Sequence, residues 1–300
     1  ARVLMLLGVS EHNAALRVDG GHPGTGTPNW EMLQWTGALK SALYWPELKQ
    51  SASLREFALG RLQELISAQV YPDGVETELA EGYDMFPAAN FYSALKLVHD
   101  AGHALPAAFR QRVESMYDYG AFVADQQGFL PRHGAAALCD MWCNDGNHSA
   151  GCCGGFRPDV ASFFGRQDWV YAFTRGGQGT RPAQRAHMFE WAGQAVMRSG
   201  WSGSDTWAWF DVGPHGFGHA HRDKLGLVLR GFGSMLLGES GIFAYNGDSK
   251  GAVLHREFAR TTSAHNSITI DGCQQSAKPQ MATAPVAAGS FAFNESGRDY

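Results

Sequence analysis

No run of apolar residues in this 300-residue chain approaches the roughly 18 needed to span a bilayer, and the stretch from Val3 to Val9 is short and interrupted. Charge of one sign is equally scarce. With 18% charged residues and a formal net charge of −5, the chain has no basic excess to hold nucleic acid, and an acidic ligand must be met by a few placed donors. Cysteine is limited to Cys139, Cys143, Cys152, Cys153 and Cys273, four of them in a glycine-rich stretch between Leu138 and Gly155. Their spacing lacks the paired Cys-x-x-Cys pattern of a zinc ribbon, so free or locally bridged thiols are expected, with a small metal knuckle as the alternative. Methionine is missing from position 1, and the Gly-Ser-Phe-Ala-Phe run before Tyr300 reads as a strand in progress. We expect a fragment truncated at both ends, in which a secretory signal would not be visible.

What is present belongs to a folded chain: 44% hydrophobic and 12% aromatic residues suffice for one large core or two ordinary ones. From Trp30 to about Asp125 apolar residues recur at helical spacing, as in Leu54, Phe57, Leu62, Leu65 and Ile66, then Phe91, Leu95 and Val98, then Val113, Met116, Tyr117 and Val123. Pro46, Pro72 with Asp73-Gly74, Pro87 and Pro106 fall where helices should end, which predicts consecutive helical hairpins. Between Gly128 and Pro182 the period fades into Gly, Pro, Asn and Asp, and a single helix is expected over Asp159 to Phe173. After that the period becomes two, with Trp207 and Trp209 alternating with Ala208 and Phe210, and Leu225, Leu227 and Leu229 alternating with Gly226, Val228 and Arg230. Ser267 to Ile270 runs into Asp271-Gly272, a hairpin signal. The reading is therefore a helical domain over residues 1–182 followed by an antiparallel β domain over residues 183–300.

One segment concentrates chemistry. Gly-Phe-Gly-His-Ala-His-Arg-Asp-Lys-Leu, residues 216–225, sets His219, His221 and Asp223 at every second position, which in an extended strand aims all three at one face. Glu239 and His265 follow, so nitrogen and carboxylate donors suited to zinc recur along a strand-rich region. The plainer reading of His-x-His is a solvated or hydrogen-bonded pair.

These blocks occur in one order: Gly-x-Gly-His-x-His-x-Asp-Lys-Leu, then Gly238-Glu239-Ser240-Gly241, then Arg260-Thr-Thr-Ser-Ala into His265-Asn266. In the helical half come Asn29-Trp30, Tyr44-Trp45-Pro46-Glu47, Tyr71-Pro72-Asp73-Gly74 and Glu78-Leu-Ala-Glu-Gly-Tyr83. Together they resemble the heparinase II/III-like polysaccharide lyases over nearly the whole chain, most weakly between Leu138 and Gly179. The resemblance implies an incomplete α/α toroid followed by an antiparallel β-sandwich, cleaving uronic-acid-containing polysaccharides by β-elimination, in the bacterial periplasm or after secretion. It further implies that early toroid helices precede this chain.

By the same resemblance Asn29 neutralises the substrate carboxylate, Tyr83 transfers the proton, and His219 acts as base or electrostatic partner. His221, Glu239 and His265 match positions that bind a zinc-like structural ion, Glu239 standing where the family often has Asp. Arg256 and Arg260, upstream of His265, are candidates for pairing with a carboxylate or sulfate, and Trp30 for stacking on a sugar. Taken alone, Asn29 reads as a helix N-cap, Tyr83 as packing, Asp223 and Lys224 as a local ion pair or a contact behind the ligands, and Trp35, Trp45, Trp142, Trp207 and Trp209 mostly as packing. Three other readings remain open at this point: a glycoside hydrolase using Asp73 with Glu76 or Glu78, a carbohydrate-binding relative without turnover, and a zinc hydrolase. The polymer and the oligomeric state are not legible.

Overall fold

A computed structural model describes residues 28–125, 158–217, 219–241 and 249–286, without the side chains of residues 28–30, 81–84 and 158. The four cysteines between Leu138 and Gly155 and the final strand signal lie outside those residues; Cys273 is an exposed free thiol. A helical region precedes an antiparallel sheet, as an α/α toroid followed by a β domain requires. The chain packs as two compact units, Ala1–Val70 with Pro87–Val113, and Tyr71–Phe86 with Glu114–Tyr300.

In the first unit, helices α1 (Pro28–Tyr44) and α2 (Ser51–Gln69) pack against each other. Met32, Trp35, Leu39 and Ala42 on α1, and Leu54, Ala58, Leu62, Leu65 and Ile66 on α2, recur every third or fourth residue and are all buried. Burying each such leucine contributes on the order of 2 kcal/mol. Phe57 departs from the expected face: it is 43% exposed and meets Trp35 edge-on at 5.1 Å. Helix α3 (Glu81–Asp100) and α4 (Ala107–Val123) bring Phe91 and Phe109 together at 5.9 Å. Pro87 does not end a helix as its type suggested; it lies within α3. A proline there removes one backbone bond and crowds the preceding turn, at a cost of about 3 kcal/mol, which the burial of Phe91, Leu95 and Val98 on the same helix offsets.

The expected single helix over residues 159–173 is two, α5 (Pro158–Phe164) and α6 (Gln167–Phe173). Gly165 stands between them at φ +72°, and the Arg166 N–H donates to the Ala161 carbonyl at 2.9 Å. That is a glycine-terminated helix end, which the apolar period does not register. Arg166 then pairs with Glu114, Asp118 and Asp168.

Strands β1 (Ala186–Phe189), β2 (Gln194–Arg198), β3 (Trp207–Asp211), β4 (Leu227–Gly231) and β5 (Ser234–Leu237) form one antiparallel meander in sequential order. Trp209 faces Val196 on one side and Val228 on the other, and these three, with Trp207, form the buried face. Ile268 and Ile270 are exposed, so the Asp271-Gly272 signal yields a tight turn with a single bridge rather than a strand pair. Two polar links tie α4 to the sheet. Tyr119 donates its buried hydroxyl hydrogen to Gln194 Oε1 at 2.7 Å, and Arg198 donates to the Phe122 and Ala124 carbonyls at the end of α4, where helix carbonyls lack partners. Burial pushes the Arg198 guanidinium down to about 9 despite the nearby Asp125 carboxylate, and its plane lies 4.0 Å over Trp201.

On β1, His187 sits against Phe122 at 5.5 Å and Phe189 at 4.5 Å. Desolvation lowers its pKa, outweighing the attraction of Asp73, Asp118 and Glu190. A folded-state pKa below the unfolded value of about 6.5 gives stability that is present above that value and lost as pH falls through the folded one. We expect the thermal midpoint of wild type to drop as pH falls below about 6.5, and His187→Phe to flatten that drop. Parallel melting curves across this range for both proteins would refute it.

Candidate active site

The site begins with the turn that follows α2. Within Tyr71-Pro72-Asp73-Gly74, the Gly74 N–H donates to the Tyr71 carbonyl at 2.9 Å and the Tyr71 N–H to the Val75 carbonyl at 2.8 Å. Gly74 holds φ +94°, and a Cβ there would fall 2.2 Å from the Ser115 carbonyl oxygen, so only glycine fits. Asp73 Oδ2 accepts from the backbone N–H groups of Trp191 at 2.7 Å and Ala192 at 3.1 Å. Burial raises the Asp73 pKa, and the backbone donors oppose that rise. The Tyr71 ring stacks on Trp191 at 6.2 Å, and its hydroxyl oxygen accepts from the Ala282 N–H at 2.8 Å; burial pushes this phenol up to about 12. The turn is thereby held to the β1–β2 connection.

The same chain then presents two buried glutamates. Glu76 Oε2 accepts the Glu78 N–H at 2.7 Å, and Leu79 adopts φ +53° before α3 begins. Glu78 Oε2 is hydrogen-bonded to His219 Nδ1. His219 reaches it because Gly216, at φ +79°, exchanges backbone bonds with Gln280 at 2.8 and 3.1 Å and lies against the Glu78 carbonyl, where a Cβ would approach to 2.6 Å.

The His-x-His-x-Asp segment is not a strand. β3 ends at Asp211 and β4 starts at Leu227, and the described residues between them form bends, turns and one isolated bridge at Gly216, with Leu225 at φ +64°. The three side chains do not share one set of partners: His219 meets Glu78, while His221 and Asp223 gather with His265. These last three are 2%, 3% and 8% exposed, and one donor atom from each lies within 4.8 Å of the others.

Glu239, expected among the ligands, accepts instead from its neighbours: its Oε1 is 2.7 Å from His265 Nδ1 and takes the Ser240 N–H at 2.6 Å. His265 Nε2 is buried with no hydrogen-bond partner among the described residues. Two imidazoles and a carboxylate form a donor set that suits zinc or a similar divalent ion, and a carboxylate on the far nitrogen of a ligating histidine is the usual outer-shell support. Asp223, singled out by its even spacing from His221 but read as an ion pair or a contact behind the ligands, stands in the donor cluster itself, in the place expected for Glu239.

The other expected residues fall as follows. Asn29 and Trp30 lie in the first turn of α1, after Pro28, a residue favoured at that position; Tyr83 lies in the first turn of α3. Their side chains are outside the described residues. Arg256, half-buried, and Arg260, exposed, are one turn apart on α7 (Lys250–Ala259) and its C-cap; Ser249 caps the start by accepting the Ala252 N–H at 3.2 Å. Trp35, Trp207 and Trp209 are core, whereas Trp45 is 41% exposed. A cavity of about 660 Å³ beside Arg166, lined by Asp73, Asp118, His187, Trp169 and Trp201, includes neither His219 nor the His221 cluster.

Both halves of the chain carry a recognised family pattern. Heparinase II/III N-terminus matches residues 3–148, and heparinase II/III-like, C-terminal, matches residues 181–295. The chain belongs to the heparinase II/III-like family. Among curated relatives it is similar to a heparin-sulfate lyase of Pedobacter heparinus, 29% identical over 248 residues, and to a heparin-sulfate lyase of Bacteroides stercoris, 24% identical over 269. These alignments take in 81% and 88% of this chain but 36% and 38% of the relatives, so the chain spans little more than a third of their length. Among solved structures it superposes on a heparinase III with TM-score 0.70 at 22% identity, covering 87% of this chain and 39% of that one. The crystal structure of the heparan sulfate lyase HepC from Pedobacter heparinus gives 0.68 at 24%, covering 80% and 37%. At these identities the superpositions speak for the fold.

The Asp73 clamp yields a direct expectation. Asp73→Ala leaves two backbone N–H groups without their acceptor and should cost about 1–3 kcal/mol in urea unfolding. A cost near zero would show that the turn does not depend on it.

Proposed function

We propose that this chain belongs to a lyase that cleaves uronate-containing polysaccharides of the glycosaminoglycan class by β-elimination. The observation that carries the reading is the half-buried His219, held on the buried Glu78 within a chain whose two halves match one lyase family. The names of the two curated relatives favour a heparan-type polymer.

Elimination removes the proton on C5 of the uronate, forms a double bond between C4 and C5, and breaks the bond from C4 to the glycosidic oxygen, which takes up a proton. The C5 hydrogen becomes acidic only when the neighbouring carboxylate is neutralised. We assign that task to Asn29, whose amide donates without titrating; a preorganised donor of this kind is worth about 10²–10³ in rate. Tyr83 and His219 handle the proton, the phenol being suited to return it to the leaving oxygen. Arg256 and Arg260, one turn apart, are assigned to the anionic groups of the polymer, and Trp30 to a sugar ring.

Asp73 and Glu76 are less suited to hydrolysis. Both carboxylates are committed to backbone N–H groups of their surroundings, which ranks the hydrolase reading below the lyase. We assign His221, Asp223 and His265 as the residues that hold a structural divalent ion, with Glu239 orienting His265. When bound, such an ion supplies a fixed positive charge joining the loop of His221 to the loop of His265. We also propose a periplasmic or secreted location, supported by a substrate too large to cross the inner membrane unaided.

Incubated with heparan sulfate, heparin, hyaluronan and alginate in turn, the complete protein should release unsaturated ends that absorb in the ultraviolet. Tyr83→Phe should abolish that absorbance with the fold intact, and Asn29→Ala should reduce it by about 10²–10³. Reducing ends without ultraviolet absorbance would identify a hydrolase, and unchanged turnover in either variant would remove that residue from its role.

Calorimetric titration of chelator-treated protein should show uptake of one zinc ion per chain. Uptake should be lost in His221→Ala and weakened about 10–100-fold in Glu239→Gln. Equal affinity in wild type and His221→Ala would reject the assigned ligands.

A further inference from the structure

We infer that Glu78 is the positioning residue for His219, selecting the imidazole tautomer with hydrogen on Nδ1 and leaving the Nε2 lone pair to accept a proton. The inference rests on the reading that His219 takes part in the elimination.

The pair is built from both sides. The Glu78 side chain is 6% exposed and that of His219 25%, so the carboxylate is enclosed while part of the ring remains open. The Glu78 backbone is fixed by its N–H on Glu76 Oε2 at 2.7 Å and by the left-handed turn at Leu79. The loop carrying His219 is fixed by the Gly216 bonds to Gln280 and by the closeness of Gly216 to the Glu78 carbonyl, which excludes any side chain there. An incidental surface pair of glutamate and histidine has none of these constraints and samples many geometries.

An ionised carboxylate can only accept, so the ring nitrogen facing it must carry the hydrogen. The nitrogen across the ring then holds the lone pair. When it takes the C5 proton the ring becomes a cation, and the enclosed carboxylate stabilises that charge without itself being protonated. Carboxylates on catalytic histidines elsewhere act in this way, and replacing one by its amide costs up to about 10⁴ in rate. Glutamine at this position offers either an oxygen or an amino group to Nδ1 and no longer selects one tautomer. Asp73 and Glu76, the neighbouring acids, are occupied with backbone donors, so neither replaces Glu78.

The test compares wild type, Glu78→Gln and Glu78→Asp in the complete protein at one pH. Nitrogen-15 spectra of the histidine rings should show His219 as the Nδ1–H tautomer in wild type and a mixture in Glu78→Gln. Turnover of Glu78→Gln should fall about 10²–10⁴-fold in kcat, with KM within a few-fold of wild type. Glu78→Asp, which keeps an acceptor-only group, should restore the tautomer and part of kcat. A wild-type His219 in the Nε2–H form overturns the inference, even if Glu78→Gln fails to fold. So does a Glu78→Gln protein with wild-type kcat, or one that loses kcat while keeping the wild-type tautomer. Absence of any unsaturated product from wild type would defeat the lyase reading alone, because the tautomer is measured without turnover.

Discussion

A carboxylate buried beside two backbone N–H groups organises the site. Asp73 accepts from Trp191 and Ala192, and through that grip the turn leading to Glu78 is held to the β1–β2 connection. The grip is energetically two-sided. Burial raises the pKa of Asp73, and the directed donors that replace the water it lost oppose that rise. Tyr71, stacked on Trp191 and bonded to Ala282, closes the same turn from another direction. A local loop thus acquires the rigidity that a catalytic carboxylate or its partner requires.

Glycine at two positions converts that rigidity into proximity. Gly74 lets the turn approach Ser115, and Gly216 lets the histidine loop rest on the Glu78 carbonyl. In both places a methyl group would force backbone apart, so the chain uses glycine for close approach as well as for conformation. The result is an imidazole and a carboxylate separated by 141 residues of sequence yet in direct contact. A second grouping, His221, Asp223 and His265 with Glu239 behind His265, gathers the next loops in the same way. It is almost wholly buried, and buried polar groups at this density persist only when each is bonded or coordinated.

Much of this was legible in the residues. Helical spacing placed Leu54, Leu62, Leu65, Phe91, Leu95 and Val113 on buried faces, and period-two alternation placed Trp207 and Trp209 inward, because burial repeats with backbone geometry. His221 and His265 stood out as donors by type. Other features carried no periodic signal. Gly165 split one apolar stretch into two helices, Pro87 stayed inside a helix whose packing outweighed its cost, and Arg198, a charged residue on the buried face opposite Trp207, became a cap for α4. The His-x-His-x-Asp spacing suggested a strand because alternation was the available template; the stretch instead lies in the connection between β3 and β4, flanked by positive φ at Gly216 and Leu225.

The sequence by itself determined which residue types were available and where regular structure begins: apolar periods for the helices and sheet, glycines where the chain must turn, imidazoles and carboxylates in fixed order. It also carried the family, because ordered motifs in both halves are specific when taken together. Partner choice was decided by tertiary structure alone. Whether His219 meets Glu78, whether Asp223 or Glu239 joins His221, and whether Asp73 serves chemistry or architecture depend on contacts between segments tens to hundreds of residues apart. Side-chain bonding extends over about 3 Å, whereas sequence spacing specifies direction only within one element.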